Sequence, residues 1–311
     1  MHIGQDKHRY EWAEHWVRIP DTPTGRASGR THGVAVSESG NVIVFHQANP
    51  AVLVFSPDGK LLHAWGDRFL GAHGLTLVKE NGTEYLWLTD ANAREVVKTT
   101  LDGQAVLNLQ PPPLDIYKEG KYAPTWVAVH EERFGGNGDI WVADGYGQNY
   151  VHRYDRQGNY LGSINGQEGK AGPFKCPHGI WMDTRKAEPE LYIADRSNQR
   201  VQVYDPQGKF KRAFGADFLT SPCGFATHGP YMIVPELRAR LTILDERDQL
   251  VCHLGVNESA CDAEGWPNLP APMIQPGKFN SPHAAAADAQ GNLYVVEWII
   301  GGRITRLKAL A

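Results

Sequence analysis

The stretch from Phe174 to Gly215 reads FKCPHGIWMDTRKAEPELYIADRSNQRVQVYDPQGKFKRAFG, and it decides the fold. Four short β-branched and aromatic runs are visible in it: Ile180 to Met182, Leu191 to Ala194, Val201 to Tyr204 and Phe210 to Phe214. Turn formers separate them, first Pro189, then Arg196-Ser197-Asn198, then Asp205-Pro206-Gln207-Gly208. Runs of this kind divided by such clusters predict antiparallel strands joined by tight turns. A four-stranded unit of about 40 residues has the size of one propeller blade.

The same pattern recurs along the chain. It is found over residues 31–66, with His32-Gly33 at its start and a Ser56-Pro57-Asp58-Gly59 turn, and over 72–109, with His73-Gly74 and Asp102-Gly103. Residues 122–166 give a third copy and 174–215 a fourth, while 220–255 hold a degenerate one. The last copy, 279–310, supplies three strands only. A ring needs a fourth strand there, and residues 10–18 alternate apolar and polar through Trp12, Glu14, Trp16 and Arg18. The expectation is therefore an all-β, six-bladed propeller forming one domain, its last blade completed by the N-terminal strand, which removes an exposed edge at the closure point.

Bulk composition narrows the function. A chain of 311 residues with net charge −4 carries no basic excess to draw it to nucleic acid or anionic lipid. No apolar run spans a bilayer and no apolar leader opens the chain, which leads us to expect a cytoplasmic protein with no membrane partner. The four cysteines show no CxxC pair and favour reduced thiols. The oligomeric state leaves no mark in the sequence.

Aligning the repeats exposes one column. It reads His32, His73, Thr125, His178, Cys223 and His283, each just before or at the start of an innermost strand. Repetition can copy a structural histidine, but Thr and Cys also occupy the column, so the blade folds without one. Four imidazoles from four blades predict a site for a divalent transition metal, with Zn, Fe, Ni or Cu suited to nitrogen ligands rather than Ca or Mg. Three histidines with an open position form a catalytic zinc pattern. The acids that end the second strands, Asp90, Asp144, Asp195 and Glu297, read as turn-holding groups. Tyr146 and Arg196 follow two of them and are expected on the rim beside the histidines. The Pro- and Gly-rich segments 111–122 and 257–278 are candidate lids.

Residues 194–204 (ADRSNQRVQVY) resemble the signature of NHL-repeat propellers, and the likeness extends over nearly the whole chain. Within that group the resemblance is greatest to the catalytic core of the peptidyl-hydroxyglycine amidating lyases, through residues 29–36, 42–46, 124–129, 144–146 and 177–179. The resemblance implies zinc held by His73, His178 and His283, a catalytic Tyr146 and an active-site Arg196. It also implies breakdown of a carbinolamide, an N–C(OH) centre, into amide and aldehyde. On that reading the metal acts as a Lewis acid on the substrate hydroxyl and Tyr146 takes its proton, while Arg196 orients the substrate.

Three positions depart from the pattern. Gln47 stands where a second arginine is expected, Ala284 replaces an aspartate calcium ligand, and His32 replaces a small residue. A structural calcium is therefore not expected, a carboxylate clamp loses one charge, and His32 becomes a candidate fourth ligand. The substrate expected is a small-molecule or peptide-like carbinolamide- or hydroxy-type compound. The competing expectations are a non-catalytic NHL-repeat scaffold and a four-histidine iron site performing oxygenase-type chemistry.

Overall fold

The computed structural model describes residues 1–14 and 16–310. The strands form six antiparallel meanders, five of four strands and one of five, the architecture of a six-bladed β-propeller. Within the five four-stranded meanders neighbouring strands are consecutive in sequence, as expected for strands joined by tight turns. The turn between third and fourth strands shows why its sequence repeats. In the fourth blade Asp205 Oδ1 accepts from the backbone N–H groups of Gln207 (3.0 Å) and Lys209 (2.9 Å), and Gly208 takes φ +91°. A side chain at Gly208 would be strained there and would also meet the ring of Trp141.

The chain divides into two compact units. The first, Met1–Leu70 with Cys223–Ala311, contains blades one, five and six; the second, Gly71–Pro222, contains blades two, three and four. In the first unit the opening strand of blade six, Pro282–Ala287, packs beside that of blade one, Thr31–Val36. In the second, blade three lies between blades two and four. Burial declines across a blade. In blade one Val42–His46 and Val52–Phe55 are wholly buried, whereas Leu61 and Leu62 of the outer strand are exposed. The core thus sits between sheets, with Trp12, Ile243, Phe279 and Val295 in one cluster and Trp87, Tyr122 and Tyr154 in another.

The N-terminal strand completes blade six. His8–Ala13 pairs antiparallel with Arg303–Ala309, in the register Tyr10 with Ala309 and Trp12 with Leu307. Two details differ from expectation. The strand ends at Ala13 rather than Arg18, because Glu14 turns back to accept from Trp12 Nε1 (2.6 Å) and from Arg303 Nε and Nη2 (3.0 and 2.9 Å). His15, inside the anticipated run, lies outside the described residues. A further strand, His2–Gln5, folds back on His8–Glu11 and makes this sheet five-stranded. Among the described residues no helix is long and apolar enough to cross a membrane.

Trp12 carries this closure. It is 4% exposed, lies 4.7 Å from the ring of Phe279, and has the Arg303 guanidinium 5.3 Å from its ring centre. Trp12→Ala is expected to lower stability by about 3–5 kcal/mol, read as a shift in urea midpoint, with the far-ultraviolet strand signal retained below the transition. An unchanged midpoint would mean that the strand is not part of the cooperative fold.

Candidate metal centre

The histidines are placed by an irregularity in the sheet. In blade two Ala72 pairs with Asp90 and Leu75 with Leu88, so three steps on one strand face two on the other. The same one-residue excess occurs between Pro177 and Ile180, between Thr31 and Gly33, and between Pro282 and Ala284. Each β-bulge therefore contains one of His73, His178, His32 and His283. A bulge re-aims the side chain it carries, out of the strict inward–outward alternation of a strand. The four histidines are between 0 and 2% exposed. Blade three pairs regularly from Trp126 to Val129, and its column residue is Thr125.

In the second unit His73, His178, Tyr146 and Arg196 come together. His73 Nε2 and His178 Nε2 are 3.2 Å apart. The Tyr146 hydroxyl lies 3.2 Å from the first and 3.1 Å from the second, and Arg196 Nη1 and Nη2 each approach it at 3.4 Å. Arg196 also rests over the Tyr146 ring, its Cζ 5.4 Å from the centroid. The tautomer of His73 follows from its other nitrogen. Nδ1 lies 2.8 Å from the Thr125 carbonyl, which can only accept, so Nδ1 holds the proton and Nε2 presents its lone pair. That is the outer-sphere bond usual for a metal-ligating histidine. Two nitrogens bound at ~2.05 Å with a tetrahedral angle stand roughly 3.3 Å apart, close to the separation of this pair.

Thr125 secures both histidines. Its carbonyl fixes His73, and its hydroxyl donates to the His178 carbonyl at 2.7 Å. In the first unit His283 Nδ1 donates to the His32 carbonyl at 2.8 Å, and the two rings meet edge-on at 4.5 Å. His32 and His283 thus belong to the first unit, and His73 and His178 to the second. Gln47 donates its backbone N–H to the Arg30 carbonyl, Ala284 and Cys223 are buried, and all four cysteines are free thiols.

Tyr146 is held by a hydrogen-bond chain that the sequence pattern does not disclose. Asp144 accepts from Ala123 N and Gln148 N, each at 2.6 Å, bracketing the loop in which Tyr146 lies. Gly147 must lack a side chain, since a Cβ would fall 2.0 Å from Asp144 Oδ1. Tyr117 donates to Asp144 Oδ2 at 2.7 Å and sits 2.7 Å from His152 Nε2, which must then be the donor. His152 Nδ1 is left to accept from Ser163 at 2.6 Å. Burial raises the pKa of Asp144 and pushes that of His152 down to about 3. Tyr117 belongs to the segment taken as a candidate lid, and the structure ties it into blade three instead. The other candidate lid is tethered as well, through Trp266 Nε1 to the Asn280 carbonyl (3.0 Å). Cys176 was not singled out by sequence, yet its Sγ accepts from Arg196 Nη2 at 3.2 Å and its φ of +58° turns the chain toward Pro177-His178.

No protein-family model matches the chain. It is 28% identical over 322 residues to peptidyl-alpha-hydroxyglycine alpha-amidating lyase 1 of Drosophila melanogaster, a match covering 86% of this chain and 55% of the relative. It is 28% identical over 204 residues to the probable peptidyl-alpha-hydroxyglycine alpha-amidating lyase pgal-1 of Caenorhabditis elegans, covering 57% of this chain and 55% of the relative. A third relative, human NHL repeat-containing protein 3, is 27% identical over 253 residues, covering 74% of this chain and 67% of that protein. The chain thus spans about half the length of the two lyase relatives. Among solved structures it resembles a streptogramin B lyase (TM-score 0.63, 13% identity, 99% of this chain and all of the other). It also resembles an inactive virginiamycin B lyase of Staphylococcus aureus bound to quinupristin (TM-score 0.61, 12% identity, 97% and 100%). At these identities the structural likeness shows the propeller fold.

The His152 environment sets a pH response. Its folded pKa, about 3, lies below the ordinary 6.5, so its contribution to stability is complete above pH 6.5 and is lost as pH falls toward 3. Below pH 6.5 this group alone should cost roughly 1.4 kcal/mol per pH unit. His152→Gln is expected to flatten the wild-type decline between pH 6.5 and 4 in urea unfolding. Equal slopes for the two proteins would show that His152 is not held neutral.

Proposed function

We propose that this chain is a metal-dependent carbon–nitrogen lyase acting on a small or peptide-like carbinolamide- or hydroxy-type substrate, with residues 1–311 as one propeller domain. The observation that carries the reading is the Tyr146 hydroxyl seated between His73 Nε2 and His178 Nε2 with Arg196 against it. The amidating-lyase relatives support the reaction class. His73, His178 and His283 serve as ligands, with His32 as a fourth. A divalent transition metal bound there, zinc in the first place and iron in the second, supplies Lewis acidity toward the substrate hydroxyl.

The chain's own residues do the rest. Tyr146, as the phenolate, takes the hydroxyl proton and becomes the phenol. The C–N bond then breaks, its electron pair passes to nitrogen, and carbon becomes the carbonyl of an aldehyde. The phenol returns the proton to nitrogen, so the products are an amide and an aldehyde and the enzyme is restored. Arg196, partly exposed beside the Tyr146 oxygen, steadies the phenolate before and after the transfer and orients a polar group of the substrate. Neutral Gln47 cannot add a second cation to a carboxylate clamp. Ala284 offers no carboxylate for a structural calcium.

A second reading is a binding scaffold of the NHL-repeat type, favoured by the human relative of that name. The two separate on metal content and turnover. Elemental analysis of the purified protein should find about one transition metal per chain, reduced by His73→Ala and His178→Ala. Tyr146→Phe should retain the metal and lower the rate of aldehyde release from a carbinolamide amide by roughly 10²–10⁴-fold. A folded, metal-free wild type, or a Tyr146→Phe variant of unchanged rate, would overturn the lyase reading. Thr125→Val removes the hydroxyl while keeping the side-chain volume, and is expected to weaken metal affinity by about 10–100-fold, with Thr125→Ser restoring it. Equal affinities for the two variants would remove Thr125 from the support of the site.

A further inference from the structure

The first unit contains a second concave site, formed by the N-terminal hairpin turn, the turn after Ala226–His228 and the turn at Gln290–Gly291. Its volume is about 220 Å³, enough for one ring with a small substituent. Ile233 and Ile243 form the apolar floor and Tyr231 a wall. The ionisable side chains around it other than tyrosines are Lys7, His8 and His228, and no aspartate or glutamate lines it. Such a lining suits a ligand that is flat and apolar at one end and negatively charged at the other.

The basic groups are held in place rather than loosely distributed. Lys7 Nζ stands 4.6 Å above the Tyr231 ring, and the His8 ring meets the same ring edge-on at 4.4 Å. His228 packs against the turn at Gly291, where an added Cβ would lie 2.8 Å from its Nε2 and displace it. His8 is 6% exposed, and its Nε2 is buried with no hydrogen-bond partner. A buried imidazole nitrogen left unmatched is destabilising, and proteins seldom retain one unless a ligand or water completes it. None of these residues takes part in the metal centre, and the inference does not depend on the proposed reaction.

We propose that this cavity binds a small arenecarboxylate, its ring on Ile233, Ile243 and Tyr231 and its carboxylate directed to Lys7, His8 and His228. The aromatic wall and apolar floor take up the ring, while the carboxylate accepts hydrogen bonds from the two imidazoles and the ammonium group. A cationic ligand would meet three basic groups, the acid that acts on His8, Asp6, lying outside the lining.

Titration of the full-length protein with sodium benzoate, followed by calorimetry and by the imidazole resonances of His8 and His228, tests this. Saturable binding is expected, with Kd on the order of 1 mM or tighter for so small a ligand. Benzamide and benzylamine should bind at least about tenfold more weakly, since each lacks the charge that the lining selects. Lys7 and His228 lie at the surface, so the double variant Lys7→Gln/His228→Gln should fold normally, keep its metal content and lose benzoate affinity about tenfold. Non-saturable shifts, equal affinity for benzamide or benzylamine, or wild-type affinity in the double variant would each overturn the proposal.

Discussion

The constraint on which the site depends is a buried carboxylate at the end of a blade's second strand. Asp90 accepts from Gly71 N at 2.9 Å, Asp144 from Ala123 N at 2.6 Å, Asp195 from Lys175 N at 2.7 Å, and Glu297 from Asn280 N and Ser281 N at 2.6 and 3.0 Å. Each donor lies two or three residues ahead of a column residue: His73, Thr125, His178 or His283. The acid thereby fixes where the first strand begins, and hence where the bulge and its histidine fall. A buried carboxylate is costly unless its lone pairs are filled, and burial is the largest cause raising the pKa of Asp144 and Glu297. Backbone donors offset that cost, joined by Arg200 at Asp195 and by Arg303 at Glu297. Loss of the acid would leave the backbone donors unmatched in a closed interior, which is why the device has to be complete.

Blade one lacks the acid. His46 occupies the register position opposite Thr31, and its imidazole bonds the Pro50 carbonyl. There the start of the first strand is held from elsewhere, by the Thr31 hydroxyl donating to the Glu297 carbonyl at 2.7 Å in blade six of the same unit. The bulge at His32 survives this change of support. The repeats therefore share a requirement, namely a fixed entry to the first strand, and meet it with different side chains.

This division explains what could be read from the sequence. The blades were legible because turn chemistry and strand alternation repeat with a fixed period, and the histidine column was legible because it keeps its place in that period. The acids were legible in part. Their turn-holding role is present, as Asp90 accepts from Asn92 N and Ala93 N, but their grip on the preceding strand is made by backbone groups some twenty residues away and leaves no residue pattern. The bulges are equally silent, since one extra residue in a strand is invisible until its partner is known. The Tyr117–His152–Ser163 chain joins a segment between blades to the third and fourth strands of blade three, so no single repeat contains it. The N-terminal strand was found by alternation, and its end was missed because a side chain, Glu14, diverts the chain through a partner almost three hundred residues away.

The same reasoning separates what could hold a metal from what would perform chemistry. Imidazoles on bulged strands, with Nδ1 committed to a carbonyl at His73 and His283, are fixed acceptors that need no rearrangement to bind a cation. Tyr146 is built differently. It lies in a loop, is 38% exposed, and is located by Asp144, Gly147 and Arg196 rather than by a sheet. In the proposed reaction a phenolate that takes up and returns a proton would benefit from contact with solvent and from an adjacent cation whose charge does not change, and Arg196 would meet the second requirement because a guanidinium stays protonated throughout the working range. Cys176 adds a contact to Arg196 without a charge of opposite sign, so the guanidinium is restrained while its field remains directed at the phenol. A carboxylate in that place would hold Arg196 more tightly and would cancel the field that the proposed proton transfer would need.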